Sequence, residues 1–284
     1  MIIWIASYPK SGNTWIRALL SHYFFSKDEK FNFDLLKHIP NFNIGDFTNV
    51  NTKFSSNIDY ADKALDVQKF ICQKYKINPF FKTHSSLSKI DKKFFTDKSV
   101  SLGCIYVVRD PRNVITSYKN HFELTYDDAL SHMLNEKRFT YDQSKKDDYS
   151  DFQFISSWEK NYQSWIYNKS FPTMIIKYEN LLNEIFSVFK NLINFIDKVC
   201  KNKTKFNKKK AQNAMTSTSF SKLKKIEEEK GFSESIMSNK SKKKIPFFFL
   251  GPENDWKKKI DKNLQKKINS IFKKNLDEFK YIFS

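Results

Sequence analysis

"WIASYPKSGNTWIRALL", residues 4–20, is the stretch from which the fold can be read. An apolar run from Ile2 to Ala6 gives way to Ser, Pro, Lys, Ser, Gly, Asn and Thr, and resumes as an amphipathic segment from Trp15 to Leu20. This order predicts a buried strand, a tight loop and the first turn of a helix. A loop in that place presents unpaired backbone N–H groups and the positive end of the helix dipole, which together attract anions. Gly12 lets the backbone come close to an oxyanion. Ser11, Asn13 and Thr14 add short polar groups, and Lys10 adds a charge. A helix cap accounts for a Ser or Thr at a helix start, but not for Lys-Ser-Gly-Asn-Thr behind a buried strand.

The Walker pattern G-x-x-x-x-G-K-[ST] is absent, because here the Lys precedes the Gly. The loop therefore shares the physics of a P-loop and not its sequence. Further short strands are expected at 80–82, 104–108 and 174–176, with helical patterns at 13–25, 61–75, 112–121, 152–168 and 180–197. The alternation predicts an α/β fold with a P-loop-like central parallel sheet flanked by helices on both faces. Functional loops then belong at the carboxyl ends of the strands. One domain is expected over 1–284, with no internal repeat. Residues 137–151 read as a polar surface loop, 201–210 and 238–244 as solvated Lys-rich segments, and 260–281 as a packed terminal helix.

A chain of 284 residues with 40% hydrophobic and 17% aromatic residues can build a sizeable core. Its net charge of +19 favours anionic partners. The abundance of Lys, Asn, Ile and Phe also fits an AT-rich coding sequence, an equal account of that charge. Arginine is scarce: Arg17, Arg109, Arg112 and Arg138 are the only four. Such a chain keeps Arg where a planar fork matters. Cys72, Cys104 and Cys200 show no metal or redox spacing. No secretory signal or membrane span is visible, so a soluble protein of the cytoplasm is expected.

The strand–loop–helix plan repeats at "CIYVVRDPRNVITSYKNHF", residues 104–122. Arg109 leaves the strand, Asp110 and Pro111 turn the chain, and Pro111 suits the first helical position. Ser117 lies eight residues beyond Arg109. An Arg and a helical Ser can converge on one phosphate if the loop folds back. "FFKTHSSL", residues 80–87, places Lys82 and His84 at another strand end. Histidine is the natural base near neutral pH. His22, His38, His121 and His132 lack such a setting and are read as structural.

"YPKSGNTW" resembles the 5′-phosphosulfate loop "YPKSGTTW" of the cytosolic-type sulfotransferases, with Asn13 for one Thr. Arg109 and Ser117 match that family's 3′-phosphate motif, and Lys82-Thr83-His84 is similar to its "KTH" segment. The resemblance implies a transferase that uses 3′-phosphoadenosine 5′-phosphosulfate (PAPS) as donor, leaves 3′-phosphoadenosine 5′-phosphate (PAP) and needs no metal. It implies that Lys10, Ser11, Gly12, Asn13 and Thr14 hold the 5′-phosphosulfate, with Trp15 near the adenine. By the same resemblance His84 is the base, Lys82 steadies the sulfuryl group and Lys10 the bridging oxygen. "IIKYENLL" (175–182) and "TSTSFSKL" (216–223) are more loosely similar, implying adenine contact from Tyr178 and a nucleotide border at Thr218 and Phe220.

"FFFLGPENDWKKKI" (247–260) looks like the family's closing "RKGxxGDWK" loop, with Gly251, Asp255 and Trp256 kept and Phe249 and Leu250 in place of Arg and Lys. Lys242, Lys243 and Lys244 lie nearby to supply charge. The implied acceptor is a small alcohol or phenol, chosen by segments 38–60 and 122–150. No nucleic-acid partner is expected, and the family's dimer pattern is not recognisable. Two other readings remain open at this point. A P-loop-type small-molecule kinase would show a Lys after the Gly and a metal-binding Asp on a strand. A non-enzymatic basic nucleic-acid-binding protein would interleave its Lys runs with exposed aromatics.

Overall fold

The computed structural model describes residues 1–48, 53–142, 148–202, 205–238 and 240–281. Its strands are β1 (Ile2–Ser7), β2 (Phe80–Thr83), β3 (Lys89–Ile90), β4 (Lys93–Phe94), β5 (Ser101–Val108), β6 (Phe139–Thr140), β7 (Gln153–Phe154) and β8 (Thr173–Lys177). Its helices are α1 (Asn13–Phe25), α2 (Asn57–Lys74), α3 (Pro111–Phe122), α4 (Tyr126–Leu134), α5 (Trp158–Ile166), α6 (Tyr178–Asn183), α7 (Ile185–Cys200), α8 (Lys208–Ser217), α9 (Phe220–Lys230), α10 (Trp256–Lys259), α11 (Lys262–Ile271) and α12 (Lys273–Glu278).

Four strands form the central sheet in the order β2-β1-β5-β8, all parallel. Successive side chains of a strand point to opposite faces. Ile2, Trp4 and Ala6 of β1 accordingly join the core under α2, α3 and α5, while Ile3 and Ile5 join the core under α1, α7 and α8. Both faces are therefore covered, which is why β1 reads as an unbroken apolar run. Because the strands are parallel, their carboxyl ends lie along one edge. Lys10, His84, Arg109 and Tyr178 follow those four ends, so the topology alone gathers them.

Three expected helices are divided. The 152–168 pattern contains β7, which pairs with β6, and α5 starts only where the Ser157 side chain accepts from the Lys160 amide. Ser156 turns the chain there with φ of 63°. The 180–197 pattern splits into α6 and α7, and the terminal pattern into α11 and α12. The expected surface loop 137–151 carries β6 instead, with 143–147 outside the described residues. The Lys-rich stretches contribute to regular structure where described: α8 begins at Lys208, and Met237 bridges Lys244. Positions 203–204 and 239 of those stretches, and 49–52 of the expected acceptor segment, lie outside the described residues.

Candidate active site

The loop between β1 and α1 is built on two left-handed residues, Lys10 (φ 66°) and Gly12 (φ 103°). Such backbone turns consecutive N–H groups into one concavity, and the first amides of α1 have no intrahelical acceptor. Gly12 is required twice. Its φ suits glycine, and a Cβ there would stand 2.5 Å from Cδ2 of Tyr178. The Tyr178 ring is thus wedged under the loop, and its other contacts join the two halves of the site. The Arg109 guanidinium lies 4.1 Å from its centroid, and Trp15 meets it edge-on at 5.8 Å.

Arg109 is poised in the same way. Its Nη1 donates to the Lys10 carbonyl at 3.3 Å, and its Nε is buried with no partner. The neighbouring Asp110 does not pair with Arg109. It accepts from Arg112 in a buried fork, which leaves Arg109 free to face the cavity. Glu179 holds this turn: one of its oxygens accepts from the Asp110 amide at 3.0 Å, the other from the Tyr281 hydroxyl at 3.1 Å.

His84 follows the end of β2, beside the end of the neighbouring strand β1. Its Nδ1 lies 2.8 Å from the Ser7 carbonyl oxygen. A carbonyl can only accept, so Nδ1 carries the proton and Nε2 keeps a free lone pair. The backbone of His84 is fixed on both sides: its N–H donates to the Gln153 side chain, and its carbonyl accepts from Asn161. Burial, and then the charge of Lys82, lower its pKa to about 3, so the ring is neutral at physiological pH.

The cationic side chains are partly neutralised from within the chain. Glu234, in the coil after α9, accepts from Lys82 Nζ at 3.1 Å, from Thr14 Oγ1 at 3.4 Å and from Arg17 Nη1. Burial alone would raise its carboxyl, but the charges of Lys82 and Arg17 outweigh this and hold it well below the usual carboxylate range. Lys10 has no carboxylate partner among the described residues; its ammonium lies 3.8 Å over the Phe247 ring. Burial lowers its pKa to about 7, against the opposing pull of Glu234.

These groups open into one cavity of about 280 Å³. Of the residues singled out in the sequence, Lys10, Gly12, Asn13, Thr14, Trp15, Lys82, His84, Arg109, Ser117, Tyr178, Phe220 and Gly251 line it. Ser11 is buried beneath the loop with its hydroxyl unpartnered. Thr218 is not at the cavity wall: it is fully buried, and its hydroxyl donates to the Ala214 carbonyl one turn earlier. The Asn13 amide braces the loop onto β1 by donating to the Ile5 carbonyl, leaving Oδ1 unpartnered. Gly251 (φ 54°) lies so close to the Phe220 ring that no Cβ fits. Phe249 and Leu250 face the cavity, whereas Lys242, Lys243 and Lys244 do not line it.

Among the lining residues that the sequence reading did not assign are Glu234, His121 and Arg138. His121, read as structural, faces Phe247, and burial followed by the charge of Lys10 lowers its pKa to about 3. From the expected acceptor segments, Phe122, Arg138 and Thr140 reach the wall; among the described residues of 38–60 none does. Among the described residues no cluster of His, Cys, Asp or Glu is arranged to hold a metal ion, and no helix is long and apolar enough to cross a membrane.

Comparison with known proteins fits this arrangement. Retinol dehydratase, solved with androsterone and inactive cofactor PAP, superposes with a TM-score of 0.58 at 14% identity, covering 96% of this chain and 80% of that one. The same enzyme with retinol and PAP gives 0.60 at 15% identity, covering 99% and 83%. Mouse sulfotransferase SULT7A1 with PAP gives 0.53 at 16% identity, covering 96% and 84%. No curated protein sequence matches the chain. At such identities the likeness shows a shared fold, and the sequence itself matches the sulfotransferase domain over residues 2–280. The chain belongs to the sulfotransferase family.

Proposed function

We propose that this protein transfers a sulfuryl group from PAPS to a hydroxyl of a small acceptor, with His84 as general base. The reading extends to one catalytic domain over the whole chain, working in the cytoplasm, where its three free cysteines stay reduced. The observation that carries it is His84 itself, which lines the cavity together with the loop after β1 and whose Nδ1 is held by the Ser7 carbonyl, leaving Nε2 as the unprotonated nitrogen.

The residues present fit the donor. Ser11 Oγ, Trp15 Nε1 and Arg109 Nε are buried polar atoms without partners, the mark of a site built for an absent polar ligand. The loop amides and Lys10 suit the 5′-phosphosulfate, Arg109 and Ser117 the 3′-phosphate, and Tyr178, Trp15 and Phe220 the nucleoside. Phe249 and Leu250 leave the closing loop without the two cations that the family resemblance implies there.

In the transfer, the S–O bond to the donor phosphate breaks as a new S–O bond forms to the acceptor oxygen. The acceptor proton passes to His84 Nε2, and PAP leaves as the anion. Lys82 and Lys10 face the charge that develops on the sulfuryl and bridging oxygens. The low basicity of His84 follows from burial and the adjacent Lys82; an anionic donor offsets the second of these.

The test is turnover of PAPS to PAP with a panel of phenols and alcohols. Acceptor-dependent PAP release with a sulfated product is the expected result. Turnover of ATP in place of PAPS would favour the kinase reading. Salt-sensitive duplex binding without turnover would favour a nucleic-acid binder.

A further inference from the structure

Arg138 lines the cavity together with Tyr118, His121, Phe122 and Ile155, and it lies in one of the segments expected to choose the acceptor. It is one of four arginines, and the other three have evident tasks. Arg17 pairs with Glu234, Arg112 with Asp110, and Arg109 faces the donor region from against Tyr178. Among the described residues no carboxylate pairs with Arg138. Its Nε is buried without a partner, and its guanidinium carbon lies 5.7 Å from the Tyr118 ring centre. The Tyr118 hydroxyl is buried beside Arg138; burial raises its pKa, against the charge and hydrogen bonding of Arg138, which favour its ionised form.

Arg138 is half-buried at the cavity wall with only its Nε fully enclosed, and a guanidinium there without a carboxylate partner favours a ligand that supplies one. Its placement is also fixed by the backbone. The Arg138 N–H donates to the Asn135 carbonyl at 3.2 Å, and its own carbonyl accepts from Ser156 at 2.8 Å. These bonds set it at the start of the β6–β7 ribbon. The same cavity wall carries the apolar side chains Phe122, Ile155 and Phe247.

Resting on the sulfotransferase reading above, we propose that the acceptor is a hydroxyl compound that also carries an anionic group, and that Arg138 with the Tyr118 hydroxyl binds that group. The hydroxyl faces His84, an apolar or aromatic body fills the middle, and the anion takes the far end. A planar fork suits a carboxylate or a sulfate or phosphate ester.

The probes are 3-(4-hydroxyphenyl)propionate and its methyl ester, which present the same phenol and differ in one charge. With PAPS, the wild type should favour the acid in kcat/KM by about ten- to a hundred-fold, the range for a hydrogen-bonded charge. Arg138→Gln should bring the ratio close to one, and Arg138→Lys should keep part of it. The ratio is taken within each variant, so loss of folded protein cancels. Calorimetric binding of the two compounds to the PAP-loaded protein should show the same pattern. A ratio near one in the wild type, or a ratio that survives Arg138→Gln, overturns the proposal. Arg138-dependent binding of the acid with no transfer to either phenol would uphold it and overturn the sulfotransferase reading. Equal transfer to both phenols would do the reverse.

Discussion

His84→Ala will bind PAP as the wild type does and transfer sulfuryl groups about 10²–10⁴ times more slowly, the usual cost of losing a general base. The two effects separate because the proposed base meets the acceptor, whereas the loop after β1, Arg109 and Tyr178 are the residues proposed to hold the nucleotide. Removing the ring frees the Ser7 carbonyl, but Gln153 and Asn161 still hold the backbone of residue 84, so the strand end keeps its course. Nitrophenols, whose hydroxyl is already acidic, should recover part of the lost rate. A purely structural histidine would give another pattern, with melting temperature, PAP affinity and turnover falling together. Calorimetry for PAP beside initial rates with a simple alcohol and a nitrophenol decides it: near-normal turnover of the alcohol removes His84 from the base role.

Arg109→Ala should weaken PAP by about 1.5–3 kcal/mol, the range for hydrogen bonds to a charged group. The same nucleotide without its 3′-phosphate should lose little. The comparison matters because Arg109 also touches Tyr178 and the Lys10 carbonyl. If its main task were to brace those groups, the variant would loosen the whole nucleotide site and both ligands would weaken alike. Titration of both nucleotides against both proteins separates a phosphate ligand from a brace.

The parts of this site legible in the sequence are those in which neighbours along the chain are neighbours in space. Lys10 to Trp15, Lys82 with His84, and Arg109 with Ser117 each sit on one strand end or the helix behind it. An apolar run followed by short polar residues announces that geometry. Glu234 was illegible for the opposite reason: it comes from coil to reach Arg17, Lys82 and Thr14 across the sheet edge, and no local pattern marks it. His121 could have been found, since it lies four residues after Ser117 on α3 and shares its face. The scarcity of arginine pointed to Arg109 and Arg112; carried through to Arg17 and Arg138, it would have reached the site twice more. The strand β6 and the split of the 152–168 pattern depend on the pairing of residues 139–140 with 153–154, which only the folded chain reveals.

With Lys10 in its proposed place at the phosphates, its lowered pKa should make nucleotide capture proton-linked. In the free protein its pKa is about 7, so above neutral pH it is largely uncharged against Phe247. An incoming polyanion favours the charged form and raises that pKa. Below pH 7 the group is protonated before and after capture, and affinity is level with respect to this lysine. Above pH 7 each binding event draws a proton from solvent, and affinity falls by up to tenfold per pH unit until the higher, ligand-bound pKa is passed. The heat of PAP binding at pH 8 should therefore differ between buffers of low and high ionisation enthalpy, and that difference should vanish in Lys10→Ala. If Lys10 meets the phosphates as proposed, their retention should weaken as the surroundings turn alkaline.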